Sequence, residues 1–400
     1  MDPNQMLSTR VQQMTESATL RMAQKTRELK AKGISVINLS IGEPDFDTPQ
    51  HIKDAAKKAL DEGWTKYSPV PGYEDLRQAI CHKLKRDNGL DYAPNQIVVS
   101  NGAKQSIANI AMTLLNPGDE AVILAPYWVS YKDIVEFAGG KAVILSAGIE
   151  QDFKVSADQL SAAINDRTKF VLFSSPCNPS GSVFSKEELE AFAKVILAHP
   201  NLLIVSDEIY EFINFGEKHH SIGSLPGMLD RTVTVNGFSK GFAMTGWRLG
   251  FMAAPAWLAS ACSKIQGQVT SGASSFAQRA AKFGLESDLT PTFEMNHAFL
   301  HRRDLIIELF SAIPGIRTNK PLGAFYLLPD VSAYFGKSDG KQTIKDADDF
   351  AEYILEKAHV GIVSGEAFGA PDCIRISYAA SDEEIIEAAD RIKNALAELH

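Results

Sequence analysis

Cysteine is scarce. The 400 residues hold four, Cys81, Cys177, Cys262 and Cys373, set far apart and never as a C-x-x-C pair. That spacing excludes a disulfide framework and a zinc ribbon, and it suits a reducing, cytoplasmic setting. No apolar run approaches the roughly 18 residues of a membrane span, and the opening MDPNQMLSTRVQQM has no apolar h-region, so neither a span nor a leader is expected. Positive charge is outnumbered, with 40 Lys and Arg against 49 Asp and Glu and a net charge of −9. Such a surface repels phosphate backbones and anionic lipid, so no nucleic acid and no membrane is expected as a partner. Two motifs are also missing. No G-x-G-x-x-G follows a strand, which argues against a dinucleotide-binding fold, and no H-E-x-x-H offers a metal site. Gly336-Lys337-Ser338 imitates the end of a phosphate loop, but Val331 occupies the position of its first glycine. His219-His220 lies in a polar stretch and reads as a solvated pair.

What the chain does have is apolar material, 45% of its residues, enough for a large core and two or three domains. Val11, Met14, Ala18, Met22 and Leu29 recur at roughly helical spacing and predict one amphipathic helix over 8–32, stopped by Gly33. A strand follows over 36–41. From about 50 to 255 helices (51–61, 73–87, 104–115, 128–138, 156–164, 185–198) alternate with strands (96–100, 121–125, 142–145, 169–174, 202–206, 232–236, 248–254). Several strands, such as Ala121–Ala125 and Leu202–Val205, are continuous apolar runs, as expected where helices cover both sheet faces. The fold class is therefore α/β, with a mainly parallel seven-stranded sheet in a large domain. After Pro255, helices over about 256–285 and 291–312, strands near 324–328 and 373–378, and helices over about 346–358 and 382–398 read as a smaller α+β domain completed by the N-terminal segment. The boundaries expected are 1–48 for the arm and part of the small domain, 49–285 for the large domain and 286–400 for the small one.

Chemistry collects at strand ends. Gly237-Phe238-Ser239-Lys240-Gly241 satisfies G-x-S-x-G after a strand, which taken alone makes Ser239 a hydrolase nucleophile. That reading needs a later acid and histidine and an HGGG-type oxyanion loop. His297, His301 and His359 fall in or near predicted helices, and no such loop is present. Lys240 offers the other reading, since it lies at the carboxyl end of the strand 232–236, where open α/β sheets place ligands. A lysine held neutral there can attack a carbonyl. Arg248 follows eight residues on, and with Ser239 it could bind a phosphate dianion. Upstream, the apolar Leu203–Val205 runs into Asp207 and Tyr210, and a carboxylate at the mouth of a buried strand is costly unless it meets a cation. Another strand ends in Pro176-Cys177-Asn178-Pro179. Gly102-Ala103-Lys104 sits between strand and helix, where free N–H groups suit a phosphate. A lysine, an acid, a phenol, an amide, an arginine and a helix N-terminus together suit pyridoxal 5'-phosphate.

The run from Asn236 through Lys240 to Arg248 and Gly250 resembles the signature of class I/II aminotransferases of fold type I. Ser174–Gly181, Ser206-Asp207-Glu208-Ile209-Tyr210, Ile374-Arg375-Ile376-Ser377-Tyr378 and the early Gly42-Glu43-Pro44-Asp45-Phe46 resemble its other blocks, in order. The branch it looks most like is that of bacterial aspartate and aspartate/prephenate aminotransferases. The resemblance implies a homodimer that moves an amino group from an amino acid, aspartate first, to a 2-oxo acid such as 2-oxoglutarate, with aromatic or broad-range donors as the alternative. It implies that Lys240 carries the cofactor and shuttles a proton, and that Asp207 keeps the ring nitrogen protonated. Tyr210 and Asn178 would bind the 3′ oxygen, and Trp128 would stack on the ring. Ala103, Lys104, Ser239 and Arg248 would hold the phosphate, together with Tyr67 from the neighbouring subunit. Arg375 would clamp the substrate carboxylate, assisted by Asn178, Trp128 and the backbone at Gly42, while Lys104 would also meet the distal carboxylate of aspartate. Two positions depart from familiar patterns. Gly237 replaces a serine, as is common in this branch, and Thr15 replaces the lysine of members active on prephenate, which implies weak use of prephenate.

Overall fold

The computed structural model describes residues 6–14, 17–216 and 218–400. After a two-residue strand, β1 (Ile37–Asn38), the chain builds a seven-stranded sheet from β2 (Ile97–Ser100), β3 (Glu120–Ala125), β4 (Lys141–Ser146), β5 (Thr168–Ser174), β6 (Leu203–Asp207), β7 (Thr232–Gly237) and β8 (Gly250–Ala253). Their order is β2-β8-β7-β6-β5-β3-β4. The run from β7 to β4 is parallel throughout, and β8 lies antiparallel to both β7 and β2. The continuous apolar runs are explained by the pleat, which sends successive side chains to opposite faces. Ala121, Ile123 and Ala125 enter one core with Phe170, Leu172, Leu203 and Val205, whereas Val122 and Leu124 enter another with Val171, Phe173 and Ile204. Helices cover both faces, so neither set can be polar. The carboxyl ends of β5, β6 and β7 share one edge of the sheet, and antiparallel β8 begins at that edge.

A separate core gathers residues from both ends of the chain, including Met22, Ile37 and Leu39 early and Phe299, Phe325, Ile354 and Ile392 late. Here β1 pairs in parallel with β10 (Val360–Gly361), and β11 (Val363–Ser364), β12 (Ile374–Ser377) and β9 (Tyr326–Leu327) form an antiparallel sheet in the order β11-β12-β9. Tyr210 and Ile213, only a few residues past β6, pack into this core as well. The segment after Asp207 is thereby gripped from both sides. Among the described residues no helix is long and apolar enough to cross a membrane, and all four cysteines are free and buried.

The structure departs from the sequence reading in a few places. The helix expected over 8–32 is two, Thr9–Gln13 and Ala18–Ala31, because Met14 is extended at φ −72°, ψ 136°. The strand expected over 36–41 shrinks to β1, past which the Asn38 side chain, rather than a strand partner, accepts both the N–H and the hydroxyl of Ser40. The helix expected over 256–285 is Ala256–Val269 and Ser275–Glu286. It breaks where Ser271 turns left-handed (φ 63°) and Gly272 lies so close to Ser68 and Pro69 that no side chain fits. The expected solvation of the histidine pair does not hold at His219. The His219 side chain is buried, its Nε2 3.0 Å from the Glu208 carboxylate in a polar cluster with Asn88, Lys83, Glu211 and Ser221.

Candidate active site

A cavity of about 390 Å³ opens at the sheet edge where β5, β6 and β7 end. Gly42, Ala103, Lys104, Trp128, Asn178, Asp207, Tyr210, Ser239, Lys240, Arg248 and Arg375 all line it. Tyr67 does not join them; it stands 99% exposed on the surface.

Asp207 is the last residue of β6. It is buried, its Oδ2 accepting from the Tyr131 hydroxyl at 2.6 Å and its Oδ1 from the Ile209 N–H at 3.2 Å. Burial pushes the carboxyl up to about 6 against the pull of these two donors, and the neighbouring Glu208 adds to the rise. Lys240, three residues past β7, donates to the Gly42 carbonyl at 2.5 Å. Burial pushes its ammonium down to about 8, opposed by Glu43 and assisted by Arg375 and Arg248. A lysine near 8 is partly neutral at physiological pH, the state in which an amine is nucleophilic. Tyr210 is buried with its hydroxyl 2.7 Å from that of Tyr326, and burial holds its phenol well above the ordinary value.

The opposite wall is cationic. Arg375, in β12, is 2% exposed, and burial lowers its pKa. It donates from Nη1 to Asn178 Oδ1 at 3.1 Å and from Nη2 to the Ser40 carbonyl at 2.5 Å, while its Nε has no partner. Its guanidinium lies between the Tyr326 and Phe368 rings, 4.7 Å from each centroid. Arg248 precedes β8 in a left-handed conformation (φ 54°) rare for a side-chain-bearing residue. Its guanidinium rests on Gly102, where an added Cβ would stand 2.6 Å from Nη2. Gly250 likewise permits β8 to press on the first residue of the helix Ala103–Leu114, whose first-turn N–H groups lack intrahelical acceptors. The Lys104 ammonium lies 4.7 Å from the Trp128 ring, its pKa lowered by burial and by Arg248.

Sequence reasoning missed Tyr131, Tyr326, Glu43 and Ser40. Tyr131 follows Trp128 by one helical turn and stacks edge-on against it at 5.6 Å, a spacing that marks shared surface but not a bond to Asp207. Ser239 also lines the cavity, yet among the described residues lining it there is no histidine, so the hydrolase reading has no base.

Residues 34–392 match the family described as aminotransferase class I and II. The chain belongs to that family. This aminotransferase is 47% identical over 397 residues, 98% of its own length and 82% of the relative's, to a bifunctional aspartate aminotransferase and glutamate/aspartate-prephenate aminotransferase of Petunia hybrida. Among solved structures it is similar to the aspartate aminotransferase of Rhizobium meliloti, with a TM-score of 0.95 and 40% identity over 98% of this chain and 99% of that one. The aspartate aminotransferase of Thermus thermophilus with maleate gives 0.92 and 39% over the same shares. The fold of this aminotransferase is accordingly fold type I, with the mainly parallel sheet expected from its apolar runs.

Proposed function

We propose that this aminotransferase uses pyridoxal 5'-phosphate and takes aspartate as its preferred amino donor with 2-oxoglutarate as acceptor, in a ping-pong cycle. One observation carries the reading: the buried Asp207 and the half-buried Lys240, at adjacent strand ends, face one cavity with their proton affinities moved toward neutrality from opposite sides. The residues present fit the cofactor. Among the described residues no cationic side chain bonds the buried Asp207 carboxylate, and a protonated ring nitrogen supplies the missing charge. Arg248, Ser239 and the first turn at Ala103 and Lys104 form a cradle, kept open by Gly102, that suits a phosphate. Tyr210 and Asn178 would meet the 3′ oxygen, and Trp128 the ring face.

When bound, the cofactor supplies a carbonyl that accepts the amino group and a ring that takes up the electron pair released at the substrate Cα. Everything else falls to the protein. Lys240 is the amine that would hold the cofactor, and its Nζ would move a proton to and from the substrate Cα. Asp207, kept ionised at neutral pH, would hold the proton on the ring nitrogen. Arg375 takes the α-carboxylate, its unpartnered Nε and planar fork being suited to a second anion. Lys104 faces the same cavity and is the cation available for a distal carboxylate. That agrees with the names of the relatives and with maleate, a dicarboxylate, in the Thermus structure.

The working unit we infer is a cytoplasmic homodimer. The cofactor cavity belongs to 49–285, and the segments 1–48 and 286–400 bear Gly42 and Arg375 against it. The exposed Tyr67 of each subunit would complete the phosphate site of the other. Thr15, on which weak use of prephenate was argued, lies outside the described residues. The test is turnover of aspartate with 2-oxoglutarate by Lys240→Ala and Asp207→Ala proteins of verified fold. We expect none from the first and a small residue, with weaker cofactor binding, from the second. Near-normal turnover in either would refute the site.

A further inference from the structure

Tyr326 lies in β9, in the core shared by the two chain ends, yet it lines the cavity. It is fully buried and meets three parts of the site at once. Its hydroxyl is 2.7 Å from that of Tyr210. Its ring face seats the Arg375 guanidinium at 4.7 Å. It also lies so close to Gly42, whose carbonyl receives Lys240, that a Cβ at 42 would collide with the hydroxyl. We propose that Tyr326 is a positioning residue: its hydroxyl fixes the oxygen of Tyr210 while its ring fixes Arg375, so that the phenol and the carboxylate clamp share one support.

This inference rests on the reading that Tyr210 donates to the cofactor's 3′ oxygen. Tyr210 has a single proton. If that proton goes to the cofactor, Tyr326 must be the donor of the phenol pair, and a hydroxyl that accepts a hydrogen bond is itself a stronger donor. A donor to the 3′ oxygen lowers the chromophore's affinity for a proton. Removing the Tyr326 hydroxyl therefore raises the pH midpoint of the bound cofactor's visible absorbance. The charged groups around Tyr210 and Lys240 are Asp207, Glu43, Arg248 and Arg375, and all remain in every variant used here.

The experiment is a pH titration of holoenzyme absorbance, paired with the dissociation constant of maleate. Tyr326→Phe keeps the ring and should raise the midpoint by about half to one pH unit, the size of one hydrogen bond, with maleate affinity within about twofold of the wild type. Tyr326→Leu loses the ring too and should bind maleate about fivefold or more weakly than Tyr326→Phe, the scale of a desolvated cation–π contact. A residue with only a packing role would move neither quantity in the Phe variant and would not separate the two variants. If Tyr326→Phe titrates as wild type while Tyr210→Phe shifts, the inference fails and the cofactor reading stands. If Tyr326→Leu binds maleate as Tyr326→Phe does, the support of Arg375 is refuted. A protein with no visible cofactor absorbance, or an unshifted Tyr210→Phe, overturns the cofactor reading and this inference with it.

Discussion

Tyr131→Phe tests the ionisation of Asp207 without touching the carboxylate. The change deletes the hydroxyl that donates to Oδ2 at 2.6 Å and leaves the Ile209 N–H on Oδ1 at 3.2 Å. Tyr131 serves as a donor across the whole working range, because burial, with the charge of Asp207 added, holds its phenol well above the ordinary value. A hydrogen bond to a charged group is worth about 1.5–3 kcal/mol, and about 1.4 kcal/mol of preference between protonation states is one pH unit. The Asp207 carboxyl, already raised to about 6 by burial, should rise by about one to two further units. The sign follows directly: the anion proposed to pair with a protonated ring nitrogen exists above this value and is lost as the pH falls through it. In the wild type, affinity of the apoenzyme for pyridoxal 5'-phosphate should fall on acidification through about 6. In Tyr131→Phe the fall should begin about one to two units higher, with about twofold to tenfold weaker binding at pH 7 and convergence of the two curves at alkaline pH. Equilibrium binding of cofactor to apoenzyme across pH 5–9 reads both quantities. Superimposable curves would show that the hydroxyl does not govern Asp207 and that the short contact is packing alone.

Three other outcomes are expected. Lys104→Ser should lower kcat/KM for aspartate by about tenfold to a hundredfold, one charge-assisted contact, and leave phenylalanine or tyrosine within a few-fold; equal losses on both classes of donor would show that this lysine does not read the side chain. Subunits bearing Tyr67→Ala mixed with subunits bearing Lys240→Ala should recover part of the lost activity, since each heterodimer has one site with both lesions and one with neither; no recovery after verified exchange would refute a shared site. Lys83→Met should destabilise the fold by about 3–5 kcal/mol in denaturant unfolding, because Lys83 is 2% exposed, paired to the buried Glu211 and bonded to Asn88 at 2.7 Å. A loss below about 1 kcal/mol, the scale of an exposed pair, would mean the cluster holds its charges without that cation.

The parts of the site legible in the sequence share a physical cause. Asp207 stands at the end of an apolar strand, where an unpaired carboxylate is expensive, so its presence demanded a cation before any cation was known. Lys240 lies in a loop past a strand end of the same kind, and alternation of helix and strand was enough to bring those two ends to one edge, whereas Arg248 reaches that edge from the start of β8, which runs antiparallel to β7. The continuous apolar runs fixed the two-sided burial, and Val122 and Ile123 do enter opposite cores. Breaks were harder to foresee. The interruption before Ser275 depends on Ser68 and Pro69, some two hundred residues earlier, and no local periodicity registers that crossing.

The residues that went unseen are those whose polar atom is a small fraction of an apolar body. Tyr131 and Tyr326 read as core because they are core: both are buried and both pack against other aromatics. What makes them part of the site is one hydroxyl each, aimed at a group on a different strand end, and the sequence spacing to that group is 76 residues for Tyr131 and 116 for Tyr326. His219 shows the converse, a polar residue in a polar stretch that is buried because Glu208, next to Asp207 and fully enclosed, needs a partner. In each case the chemistry-bearing group was visible from its own strand, while the group that holds it was specified only by the fold. The charged residues of such a site can therefore be read one segment at a time, but their proton affinities cannot, since Asp207 near 6 and Lys240 near 8 are set by burial and by neighbours that tertiary packing delivers.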